Sequence, residues 1–371
     1  MTPGARSGLA RSRRWVVKLG SGVLSAGTDR LDAATLGRVA SDVASLRERR
    51  REVVLVSSGA ILAGAERLAL KTRPRTTQLK QAAAAVGQSR LMRAWEEAFA
   101  RRDLAVAQVL LTREDLRDRG RFLNARNTLF ELLRLGVVPI INENDTVAVD
   151  EIKFGDNDGL SALVASLCDA DLLVLLTDQP GLFTADPRKD SGAEFVAEFD
   201  AASLPDFGKA GPSGSGGMES KVRAARTAAA AGITAVIAGG LEKGTLERIG
   251  EGEAVGTLFA PRAAPLDKRR QWLAFATHPK GQIHVDAGAR EALVKSAKSL
   301  LPSGVKDVAG AFAAGDVVSL VADGAEFARG LCNFAAEDLK KVKGLKTTQI
   351  EQVLGHKPSD EVVHRDNLAI L

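Results

Sequence analysis

Lys18 closes an apolar run, Trp15-Val16-Val17-Lys18-Leu19, and is followed at once by Gly20-Ser21-Gly22. Far along the chain, residues 213–221 read SGSGGMESK, a glycine-rich run ending in Lys221. Glycine-rich backbone next to a lysine suits phosphate, because bare N–H groups can approach its oxygens and an ammonium can neutralise them. The run is not a P-loop, which needs G-x-x-x-x-G-K-[ST] directly after a strand. Three further polar clusters follow apolar stretches: Ser57-Ser58-Gly59-Ala60, Asn142-Glu143-Asn144-Asp145 and Thr177-Asp178-Gln179-Pro180-Gly181. A fourth, Gly155-Asp156-Asn157-Asp158, opens a helical stretch. All four histidines, His278, His284, His356 and His364, fall in the last quarter of the chain, and tyrosine is absent. Hydrolysis by a Ser-His-Asp or Cys-His set and histidine-rich metal sites are therefore excluded before residue 278. Lysines, carboxylates, amides, hydroxyls and backbone N–H groups remain. They suit phosphoryl transfer, where positioning and charge stabilisation do most of the work. A carboxylate acceptor would need no general base, being ionised at neutral pH.

The elements that must position these groups are legible as alternating apolar strands and amphipathic helices. Strands are expected at Trp15 to Leu19, Val53 to Val56, Ala105 to Leu111, Val137 to Ile141, Leu172 to Leu176 and Ile233 to Ile237. Between them, helical spacing marks Leu31 to Arg50, Phe122 to Leu135, Leu160 to Leu167 and Ser220 to Ala231. Strands apolar throughout imply a mostly parallel sheet covered on both faces, with ligands at the carboxyl ends of its strands. The polar clusters sit there. After Pro261 the pattern changes. PRAAPLDKRR at 261–270 reads as a linker, and the remainder as a small β-rich domain with a hairpin at Asp323-Gly324. The expected organisation is a flexible tail at 1–14, an α/β domain at 15–262, a linker at 263–275 and a second domain at 276–371.

The chain has 371 residues and a formal net charge of +5. Arg6, Arg11, Arg13 and Arg14 concentrate much of that charge at the N-terminus, while the stretch from Thr277 onward balances 12 Lys/Arg against 12 Asp/Glu. A neutral second domain argues against sequence-independent RNA binding, which rests on phosphate neutralisation. No apolar run approaches the length of a membrane span. Cys168 and Cys332 lack metal-ligand spacing and read as reduced structural thiols of a cytoplasmic protein.

Several of these stretches also occur together elsewhere. VVKLGSGVL at 16–24, VSSGAILAG at 56–64, INENDTVAVDEIKFGDNDGLSALVA at 141–165, LLTDQPGLFTADPR at 175–188 and GSGGMESK at 214–221 resemble the glutamate 5-kinase group of the amino acid kinase family. VDAGAREAL at 285–293, LLPSGVKDVAGAFAAGDVV at 300–318 and VVHRD at 362–366 are similar to the PUA domain that many bacterial members append. The resemblance implies a three-layer α/β sandwich with a mostly parallel central sheet, followed by a β-rich PUA domain. It implies ATP-dependent phosphorylation of the L-glutamate side chain, the first step of proline synthesis, with Mg²⁺ as cofactor, proline as inhibitor and a dimeric or tetrameric assembly.

By the same resemblance Lys18 and Lys221 contact the migrating phosphoryl group, and Asp158 orients both lysines. Ser58, Asp145 and Asn157 form the substrate pocket, with Asp145 accepting from an ammonium while Asn157 and Ser58 donate to carboxylates. ATP is held by Lys18, Gly20, Ser21, Thr177, Asp178, Ser215, Gly216, Gly217, Met218, Glu219, Ser220 and Lys221, with Lys153 near the γ-phosphate. No protein metal ligands are expected, so magnesium rides on the nucleotide phosphates. The structural alternatives are plain: a lysine snorkelling at a sheet end, and Asp, Asn and Ser capping helices or turns. Two other readings compete: a different acceptor on the same fold, such as acetylglutamate, aspartate, carbamate or a uridine nucleotide, and an RNA-binding regulator with a degenerate kinase fold.

Overall fold

The computed structural model describes residues 4–148, 157–185, 187, 190–199, 216–261, 273–274 and 279–371. Residues up to 265 form one compact unit and those from 266 onward another. The first unit runs α1 (Gly4–Leu9), β1 (Arg14–Leu19), α2 (Ser21–Leu24), α3 (Ala33–Glu48), β2 (Glu52–Ser57), α4 (Ala60–Arg67), α5 (Thr77–Ala100), β3 (Val106–Leu111), α6 (Arg113–Arg117) and α7 (Arg119–Arg134). It continues through β4 (Val138–Glu143), α8 (Asn157–Leu167), β5 (Leu172–Thr177), β6 (Leu182–Phe183), β7 (Phe195–Val196), β8 (Glu198–Phe199), α9 (Gly216–Ala230), β9 (Thr234–Gly239), α10 (Thr245–Gly250) and β10 (Thr257–Phe259).

Among the described residues the central sheet has the order β3-β4-β2-β1-β5-β9-β10-β8. Pairing is parallel except where β10 runs against β9. Strand alternation decides which side chains meet which layer. In β1, Trp15, Val17 and Leu19 point into a core built with α3, α4, α5 and α10. Val16 and Lys18 therefore point to the opposite face, where α8 and α9 lie. Strands β2, β4 and β5 are buried on both faces, which is why they read as continuous apolar runs.

The glycine run behaves differently from its expected role as a loop before a helix. Gly216 and Gly217 are themselves the first turn of α9, so Lys221 sits in its second turn. Ser215, Lys153, Gly155, Asp156 and nearly all of the expected linker lie outside the described residues.

The N-terminal segment corrects a second expectation. In place of a floppy tail, α1 packs on the first unit. Leu9 is buried in the core. The Arg6 guanidinium donates to the carbonyls of Ala197, Glu253, Val255 and Gly256 at 2.8–3.1 Å and lies 3.7 Å from Glu198. An arginine surrounded by carbonyls is bound by direction rather than by charge alone, which composition cannot reveal.

The second unit contains β11 (Gly281–Val285), α11 (Ala287–Ser296), β12 (Val305–Gly310), β13 (Val317–Ala322), β14 (Ala325–Leu331), α12 (Ala336–Val342), α13 (Ile350–Leu354) and β15 (Leu368–Ile370). Its sheet has the order β12-β11-β13-β14-β15. Asp323 and Gly324, with φ of 52° and 79°, make the tight turn between β13 and β14 that the Asp-Gly pair leads one to expect. Its apolar core is its own.

Candidate active site

Lys18 leaves β1 on the face covered by α8 and meets Asp158 in the first turn of that helix. Lys18 Nζ is 2.6 Å from Asp158 Oδ1, and Lys221 Nζ, arriving from α9, is 3.3 Å from Oδ2. Ser220 Oγ donates to the same Oδ2 at 2.5 Å, and Lys221 Nζ also donates to the carbonyl of Gly217 at 3.0 Å. All three charged groups are buried, at 4%, 4% and 9% exposure for Lys18, Asp158 and Lys221. Burial alone would raise the Asp158 pKa. The two ammonium groups and the Lys18 and Ser220 hydrogen bonds outweigh it, and the carboxyl is held below its ordinary value. The result is one carboxylate gripping two cations, with a net positive charge in a dry setting.

Glycines keep the approach to both ammonium groups open. A Cβ at Gly20 would lie 3.5 Å from Lys18 Nζ, and one at Gly217 would lie 3.7 Å from Lys221 Nζ. Either would set apolar carbon against a cation. Thr177, ending β5, is buried and donates through Oγ1 to Asp178 Oδ1 at 3.0 Å, while Asp178 itself is exposed. Of the other expected nucleotide contacts, Met218 is buried, and Ser21 and Glu219 are exposed.

Asn157 precedes Asp158 on α8 and belongs to an adjacent cavity of about 230 Å³. Ser21, Ser58, Gly59, Asn142, Glu143, Asp145, Arg73 and Lys80 also line it. The structure thus brings Ser58, Asp145 and Asn157 together at one end of α8, next to the lysine pair. Asp145 is 9% exposed, and burial pushes its carboxyl up to about 6. Ser58 ends the turn into α4, where Gly59 adopts φ 112° and no side chain caps the helix. The first N–H groups of α4 are therefore available at the cavity wall.

Hydrogen-bond direction corrects one expected role. Asn157 Nδ2 donates to both Ser58 Oγ and Asn142 Oδ1, each at 3.0 Å. Its donor capacity is spent. Asn157 Oδ1 is buried without a hydrogen-bond partner among the described residues. Asn157 therefore offers an acceptor to a ligand, and the donor expected for a carboxylate falls to Ser58, whose hydroxyl proton is not used in accepting from Asn157.

Sequence reasoning placed Asn142 in a polar cluster at a strand end without giving it a role in the pocket, and missed Arg73 and Lys80. For Asn142 the signal was present: Asn142 and Glu143 are polar residues inside a strand that is buried throughout. Arg73 and Lys80 fall in an unpatterned stretch and in α5, with nothing local to mark them.

The Amino acid kinase family profile matches residues 13–239, and the PUA domain profile matches residues 281–354. A glutamate 5-kinase of Geobacter sp. (strain M21) is 50% identical over 368 residues, covering 98% of this chain and 99% of the relative. One from Nitrosococcus oceani is 51% identical over 371 residues, covering 99% of each. One from Moorella thermoacetica is 50% identical over 375 residues, covering 99% and 98%. With a buried two-lysine clamp on an amino acid kinase sheet, and half of its residues shared with these relatives over nearly its whole length, the chain belongs to the glutamate 5-kinase group of the amino acid kinase family.

Proposed function

We propose that the protein transfers the γ-phosphoryl group of ATP to the side-chain carboxylate of L-glutamate, giving L-glutamyl 5-phosphate and ADP, the first step of proline synthesis. The observation that carries this reading is the convergence of Lys18 and Lys221 on Asp158, with the Asn157 cavity beside them. A carboxylate oxygen of the acceptor forms the new bond to phosphorus while the bond from phosphorus to the β,γ-bridging oxygen breaks. The electron pair leaves with ADP. The acceptor is ionised at neutral pH, so no base is required. Lys18 and Lys221 neutralise charge on the transferring oxygens, and Asp158 positions both ammonium groups without contacting the substrate.

In the cavity, Asp145 and Asn157 Oδ1 accept from the α-ammonium group, while the Ser58 hydroxyl and the α4 N-terminus receive a carboxylate. Thr177, Asp178, Gly20, Ser21 and the first turns of α9 make the nucleotide side. Asp158 is committed to two lysines and a serine, and no group of three His, Cys, Asp or Glu suited to a metal occurs among the described residues. Magnesium carried on the ATP phosphates would supply further charge neutralisation there. Proline, also an ammonium carboxylate, occupies the same cavity, and assembly is dimeric or tetrameric.

The test is ATP turnover with glutamate, N-acetylglutamate, aspartate, carbamate and a uridine nucleotide, trapping acyl phosphate with hydroxylamine. Glutamate alone should support turnover, with proline inhibition relieved by excess glutamate. Turnover with another acceptor and not with glutamate refutes the assignment.

A further inference from the structure

One backbone N–H fixes the direction of a chain of side-chain amides behind the cavity. Asn142 Oδ1 accepts from the backbone N–H of Glu143 at 2.9 Å. A backbone N–H can only donate, so that atom of Asn142 is the oxygen. Its nitrogen then points at Gln88 on α5, donating to Oε1 at 2.8 Å. The same Asn142 oxygen accepts from Asn157, so the Asn157 atom there is the nitrogen, which also donates to Ser58. What remains is Asn157 Oδ1, buried and facing no donor among the described residues.

Gln88 is the far end of this chain. It does not line the cavity, and its Nε2 is buried without a partner among the described residues. Its one hydrogen bond, through Oε1, acts with the Glu143 N–H to keep the Asn142 amide from rotating. Were Asn142 to turn over, its nitrogen would face Asn157. The Asn157 amide would reverse in turn and present Nδ2 to whatever occupies the cavity. A donor facing an ammonium repels it, whereas an oxygen binds it.

We propose that Gln88 is a positioning residue. Through Asn142, whose oxygen the Glu143 N–H also holds, it reinforces the polarity of Asn157, and so sharpens the pocket's selection of acceptors that carry an α-ammonium group. The inference rests on the glutamate reading above. Gln88→Met keeps size but removes the acceptor. It is expected to raise KM for glutamate about 5- to 10-fold, the net scale of one ordinary hydrogen bond. KM for ATP and the inhibition constant of glutarate, which lacks the ammonium, should not move. Gln88→Glu retains an acceptor toward Asn142 and should restore KM for glutamate. Gln88→Lys offers only donors and should reproduce the glutamate-selective loss, deciding the matter if Gln88→Met does not fold. Equal weakening of glutamate and glutarate, or no change in either, overturns the relay. A wild-type enzyme that fails to use glutamate refutes the functional assignment instead, before any variant is compared.

Discussion

At Asp158 a single carboxylate faces two ammonium groups and a hydroxyl, and its own first-turn position on α8 adds a favourable helix dipole. The arrangement holds Lys18 and Lys221 close together although like charges repel. Removing either cation should remove transition-state stabilisation rather than substrate affinity. Lys18→Met is expected to lower kcat about 100- to 1,000-fold with KM for glutamate little changed, measured by steady-state turnover. A loss confined to KM would place Lys18 in ground-state binding. Asp145 gives a pH signature. Its carboxyl is raised to about 6 by burial, and only the ionised form accepts well from an ammonium. Below that pH the free enzyme must give up a proton before glutamate binds. KM for glutamate should therefore climb roughly tenfold per pH unit below about 6 and be level above it. Glutamate itself keeps its side-chain charge down to about 4.3, so the break belongs to the protein. Asp145→Asn should flatten the profile at a uniformly raised KM. A break that persists in that variant would assign it to another group.

At the scale of elements, the cavity floor depends on how closely α4 and α5 approach. A Cβ on Gly64 would fall 1.7 Å from the Ala83 carbonyl oxygen, and one on Gly87 would fall 1.8 Å from that of Ala60. Neither obstacle is a movable side chain, so Gly64→Ala must push the helices apart. The expected cost is about 1–3 kcal/mol, read as a lowered Tm, together with a raised KM for glutamate because α4 carries the Gly59–Leu62 wall. An unchanged Tm would mean the pair can slide without penalty. The strands were legible because each is an apolar run of sheet length, and the structure shifts their ends by no more than two residues. Helix boundaries were less so. Gly216 and Gly217 looked like loop residues because glycine disfavours helix interiors, yet the first turn tolerates it.

Across the whole molecule, the apolar cluster of the first unit draws on residues from Leu9 to Leu258, and that of the second on residues from Ile283 to Leu368. Each unit buries its own core. A chain ending at Pro265 is therefore expected to fold and to retain glutamate-dependent ATP turnover, and residues 266–371 to melt cooperatively by themselves. Loss of folding in the shortened chain would show that the cores are not independent. No described helix is long and apolar enough to cross a membrane. The sequence by itself determined the chemical inventory, the parallel sheet and the change of architecture after Pro261, because residue type and apolar run length are local properties. It did not determine the Arg6 anchor or the acceptor polarity of Asn157, and the union of Lys18 and Lys221 on Asp158 was legible only through the family resemblance. Each depends on hydrogen bonds or ion pairs between groups far apart along the chain, from Arg6 to Gly256, from Lys18 to Lys221 and among residues 58, 88, 142 and 157, which acquire partners only when the tertiary structure closes.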